Sequence, residues 1–118
     1  MAKQYDFESR LIIFAGDIIK FSKSLSQTYE LEYLGGQVIR SSCSAALNFG
    51  ESQGTLSKRD YVHKASISLK ELKESHVNLR ILEYLDITDS KLEKLLIENV
   101  ELIKILRTII RNKSKLKG

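Results

Sequence analysis

Apolar residues recur along the chain at helical spacing in four blocks. In the first, Phe7, Leu11, Phe14, Ile18, Phe21 and Leu25 step by four and three, which lines them up on one face of a helix. The spacing predicts a helix over residues 7–25, and Ile12, Ala15 and Ile19 widen its apolar face enough to imply two neighbours. The second block, 31–51, carries Leu31, Leu34, Val38, Ile39, Ala45, Ala46 and Phe49. Gly35 and Gly36 each weaken a helix by about 1 kcal/mol, so its start is open between Leu31 and the residue after the glycines. Ser41 to Ala46 include no large side chain, so another backbone can approach closely there.

Gly50 to Leu56 form the next connection, and Ser57 followed by Asp60 has the spacing of a capping box. A third helix is predicted over 57–84, with Tyr61, Ala65, Ser68, Leu72, Ser75, Leu79 and Leu82 facing inward in unbroken heptad steps. Asp86 to Asp89 make the last turn, and Ser90 with Glu93 repeats the capping pattern ahead of a fourth helix over 90–112. Its seam is Leu92, Leu96, Asn99, Ile103, Leu106 and Ile110. Leu95, Ile97, Val100, Leu102, Ile105 and Ile109 fall outside that line, and large exposed apolar patches usually mark interfaces. The pattern predicts an all-α chain that forms an oligomer.

Composition adds bounds. At 118 residues there is room for one domain, 1–118, with a modest core. Zero Pro and six Gly leave few helix breakers. The lone Cys43 cannot form an intrachain disulfide, the N-terminal residues carry charges where a signal peptide needs an apolar core, and each apolar run stops short of a membrane span. A soluble cytoplasmic protein is expected.

Charge is distributed unevenly. Residues 1–101 hold 13 basic and 15 acidic groups, whereas 102–118 hold six basic groups and no acid, with the tail 111–118 the most basic stretch. Two readings stay open. Cations near a helix C-terminus complement its dipole and last carbonyls; alternatively, Lys58, Arg59, Lys64, Lys104, Arg107, Arg111, Lys113, Lys115 and Lys117 form a surface for RNA or DNA. That surface lacks the interleaved aromatics on which single-strand binders stack bases.

Catalytic chemistry is not expected. Asp60-x-x-His63 is the single acid-x-x-His pair, whereas di-iron bundles need that motif twice plus two further carboxylates. Cys43, with no base near it in sequence, fits a packed core thiol. No phosphate loop, dinucleotide fingerprint or nucleophile elbow is present, so no cofactor, metal or enzyme activity is predicted. Asn48, Glu51 and Asp60 are predicted structural polar residues, the first two tying the end of helix 2 to the start of helix 3. Lys70 with Glu74 has the spacing of a surface ion pair.

The order Arg40-Ser-Ser-Cys-Ser-Ala-Ala-Leu-Asn48-Phe-Gly-Glu51, then Ser57-Lys-Arg-Asp60-Tyr, resembles the 23S rRNA intervening sequence proteins. Members of that family carry Arg-Ser-x-x-Ser-x-x-x-Asn-(aromatic)-x-Glu followed by Ser-x-x-Asp-(aromatic). Related sequences often place Gly or Pro in the small-residue run, where this chain has Ala45 and Ala46. The resemblance implies an antiparallel up-and-down four-helix bundle assembling as a ring, a homopentamer, encoded in some bacteria within insertions in 23S rRNA genes. The chain is also similar to the accessory proteins of diversity-generating retroelements, basic pentameric barrels that bind nucleic acid and a reverse transcriptase. Two functions follow: a nucleic-acid-associated oligomer, or a scaffold or accessory subunit that contacts only protein.

Overall fold

The computed structural model describes residues 4–87 and 89–116. Among these residues are four α-helices and no strand: α1 Gln4–Lys23, α2 Tyr29–Gln53, α3 Lys58–Tyr84 and α4 Ser90–Ser114. Each helix packs on its neighbours in sequence, α4 returns to α1, and the backbones of the diagonal pairs stay apart across the shared core. Connections of four or five residues force consecutive helices to run antiparallel, which gives an up-and-down four-helix bundle of about 50 × 24 × 20 Å. The α2–α3 pairing is the most extensive and α1–α4 the thinnest.

Caps set the helix ends. Thr28 is extended, and its Oγ1 accepts from the Leu31 N–H at 3.3 Å, so α2 begins ahead of the two glycines. Gly35 is buried, and a Cβ there would stand 3.5 Å from Ser22 Cβ on α1. Packing against α1 outweighs the low propensity of the pair. Ser57 caps α3 as its spacing suggests, accepting from Asp60 N at 3.1 Å. The cap of α4 is Asp89 rather than Ser90: Asp89 Oδ1 accepts from Lys91 N at 2.8 Å, and a carboxylate makes the stronger acceptor. At the end of α3, Asp86 takes φ 61°, its N–H bonds Glu83 O at 3.0 Å, and Ile87 N bonds Leu82 O at 3.3 Å. This is a Schellman motif with Asp in the left-handed position that Gly usually holds.

All inward positions of the third heptad ladder are buried, as are Phe7, Leu11, Phe14, Ile18 and Phe21 on α1. Phe7 meets Phe49 edge to face with ring centroids 4.9 Å apart. Leu25 lies past the end of α1 and is half-buried. On α4, Leu95 and Leu102 are buried within the monomer, because α4 packs on both α1 and α3 and needs a face wider than one seam. Ile97 stays exposed, and Val100, Ile105 and Ile109 are half-buried. The small-residue run is the centre of the α2–α3 contact: Ser41 Oγ and Ser75 Oγ are 2.6 Å apart, and Ser68 Oγ donates to Ala45 O at 2.7 Å. Cys43, by contrast, is half-buried, turned out of the core that Ser41, Ser42 and Ala45 enter.

Candidate nucleic-acid interface

The first turn of α3 and the last turn of α4 meet at one end of the bundle. Lys58 Nζ donates to Leu116 O at 2.7 Å and to Ser114 O at 3.4 Å, placing a cation on the free carbonyls and negative dipole end of α4. Lys113 Nζ stands 4.6 Å from the centroid of the buried Tyr61 ring, one turn into α3. These contacts fasten the end of α4 to α3. They hold Arg107, Arg111 and Lys115 at the same end as Arg59, and all four side chains are exposed and make no hydrogen bond or ion pair among the described residues.

The other predicted cations are placed differently. Lys64 pairs with Glu51 of α2 at 2.8 Å, and Lys104 lies 3.9 Å from Glu101 on its own helix. Lys117 lies outside the described residues. Glu51 therefore does link α2 to α3. Asn48 does not: its Nδ2 donates to Ser44 O at 2.9 Å and to Ser44 Oγ at 3.1 Å, since an amide inside a helix can satisfy itself on the carbonyl four residues back. Asp60 gives its backbone N–H to the Ser57 cap and exposes its side chain.

Two further ionic links between helices are ones the spacing does not announce. Arg40 forks between Glu74 at 2.8 Å and the largely buried Glu71 at 3.2 Å, and the Glu74 hydrogen bond, then the Glu71 charge, raise its pKa above the ordinary guanidinium value. Lys70 reaches Glu74 only at 3.8 Å. Arg10 grips Glu98 through Nη2 at 2.6 Å and Nε at 3.1 Å across the thin α1–α4 pairing, and that hydrogen bond is the main cause of its raised pKa. The signal for Arg40 was an arginine beside an apolar seam with no acid at helical spacing, which must find its partner on another helix; Arg10 has Asp6 four residues before it, so its pairing with Glu98 left no such signal.

Reactive groups are scattered. His63 shares a shallow groove with Arg59, Asp60 and Val62, and His76 sits half-buried beside Leu96 and Val100. Among the described residues, no group of three His, Cys, Asp or Glu side chains stands close enough to hold a metal. A groove of about 430 Å³ between α1 and α4 has Phe14, Phe21 and Leu95 in its floor and Lys20, Lys91 and Lys94 on its rim. No described helix is long and apolar enough to cross a membrane.

The 23S rRNA-intervening sequence protein family model matches residues 3–108, and the chain belongs to that family. The fold is similar to the crystal structure of a protein with unknown function from the S23 ribosomal protein family of Bacteroides thetaiotaomicron. The TM-score is 0.80 at 28% identity, over 88% of this chain and 97% of that one. No curated protein matches. The matched segment contains Lys58, Arg59 and Arg107 but stops short of Arg111, Lys113 and Lys115.

Proposed function

We propose that this family member is a non-enzymatic, self-associating helical bundle of the bacterial cytoplasm that holds RNA or DNA by its phosphates at the α3–α4 end. The observation that carries the reading is the Lys58 contact with Leu116 O, which docks a run of basic residues containing no acid against a second basic helix start. Elsewhere most arginines are already engaged, Arg10 by Glu98, Arg40 by Glu71 and Glu74, and Arg80 by Glu83. Exposed guanidinium groups without partners are suited to phosphate oxygens. Ile12 and Ile13 on α1 and Ile97 on α4 supply exposed apolar surface for assembly, and a ring of five would repeat the basic end and multiply a weak contact.

The test is binding of single- and double-stranded RNA and DNA across a salt series. Replacing Arg59, Arg107, Arg111 and Lys115 together by Gln should flatten the slope of log K against log salt by up to about 3–4, near 0.7–0.9 for each phosphate no longer neutralised. None of the four is buried, so helix content should not change. Wild-type binding without salt dependence, or an unchanged slope in the variant, would sink this reading and leave the protein scaffold in its place.

A further inference from the structure

The α2–α3 seam changes character along its length. At Arg40 and Glu74 it is an ion pair of 2.8 Å. Tyr33 lies seven residues before Arg40 on α2, and Ile81 seven residues after Glu74 on α3, each two helical turns along the same face. Because the helices are antiparallel, Tyr33 and Ile81 face each other across the continued seam, and Tyr29 and Leu85 follow one turn further out. Tyr29 and Tyr33 stack with centroids 6.5 Å apart, and all four residues are exposed. Val77 and Tyr84 extend the patch on α3, where Tyr84 is 86% exposed. A tyrosine-rich apolar patch of this kind is unusual on a soluble surface and has the composition of binding hot spots.

Charge identifies what covers it. Residues 29–36 and 81–89 hold five acids, Glu30, Glu32, Glu83, Asp86 and Asp89, and no base, although the whole chain carries a net charge of +4. Arg80 engages Glu83 at 3.2 Å, and Lys70 and Lys73 lie only at the Val77 edge of the patch, so Glu30, Glu32, Asp86 and Asp89 set the charge around the tyrosines. We infer that this corner is a docking surface for a basic protein segment, one that presents arginines or lysines around apolar anchors. Tyrosine faces attract cations, and the flanking carboxylates steer and pair with them. The patch is at the end of α3 opposite Arg59 and the end of α2 distant from α4's C-terminus, so it is separate from the basic end. It also lies away from the α1 and α4 faces proposed for assembly.

The experiment titrates the full-length protein with a synthetic amphipathic helical peptide bearing leucines on one face and arginines on the other, beside a counterpart with glutamates for arginines. The arginine peptide should bind and the glutamate peptide should not. Changing Tyr29, Tyr33 and Tyr84 together to Ala should weaken binding about tenfold or more, while changing them to Phe should preserve most of it. Changing Glu30 and Glu32 to Gln and Asp86 to Asn should weaken it several-fold and reduce its salt dependence. Equal binding of both peptides, or full binding by the triple Ala variant, overturns the inference. So does a triple Ala variant that dissociates a wild-type oligomer, which would make the occupant a second copy. Loss of RNA binding in that variant without peptide binding by the wild type would likewise overturn it, in favour of base stacking.

Discussion

Replacing Ala45 by Leu tests a close helix contact in the most extensive pairing of the bundle, α2 on α3. Ala45 is fully buried in the α2–α3 interface, its carbonyl accepts the Ser68 hydroxyl at 2.7 Å, and Ser41 one turn back on α2, with Ala65 and Ser68 on α3, are also fully buried. Three added carbons have no void to enter, so the helices must separate or the side chain must leave its rotamer. Overpacking of this kind costs about 1–3 kcal/mol, and stretching the Ser68 hydrogen bond adds about 1, for a total near 2–4. At roughly 4 °C per kcal/mol for a domain of this size, Tm should fall by about 8–16 °C. Thermal unfolding by circular dichroism measures it, with Ala46→Leu as the comparison because Ala46 is half-buried on a different flank of α2. A loss of less than about 2 °C for Ala45→Leu, or equal losses in the two variants, would refute the close contact.

Asp86→Gly should stabilise by about 0.5–1 kcal/mol, since Gly relieves the cost of φ 61° and keeps both backbone bonds of the α3 terminus; a lower urea midpoint would contradict this. Asn99 is fully buried, its Nδ2 reaches Leu72 O at 3.4 Å, and its Oδ1 has no partner. Asn99→Leu, close to isosteric, should therefore raise stability by about 1–2 kcal/mol in urea denaturation, and a decrease would show that the amide is better satisfied in solution than its geometry indicates.

Four helices and most of their buried faces were legible because each apolar ladder keeps its step over several turns. The α3 ladder is the clearest case: Tyr61 to Leu82 contains Ser68 and Ser75 at inward positions, and both are buried because they meet Ser41 and Ala45 on the facing small-residue run. Periodicity ranked those positions correctly without knowing why they are small. Helix ends were less legible. Thr28 and Asp89 override the glycine pair and Ser90 through single hydrogen bonds, and the energy separating one cap from its neighbour is about 1 kcal/mol, too little for spacing to resolve.

The basic end was legible as a run of charge and illegible as geometry. Spacing cannot show that Lys58 turns inward onto α4's carbonyls or that Lys113 lies over Tyr61, so cations that fasten the end were indistinguishable from those left facing water. The distinction matters for function, because a cation already bound within the fold has less to offer a phosphate. It also divides the labour along the bundle. Where α3 begins, lysines lock the helices together and expose arginines; halfway along α3 the locking is done by Arg40, Glu71 and Glu74, and the seam beyond them, toward the end of α3, exposes tyrosines among carboxylates. Under the two proposals, opposite chemistry at the two ends of α3 would let a polyanion and a basic protein segment bind at separate places, neither contact needing the other to form.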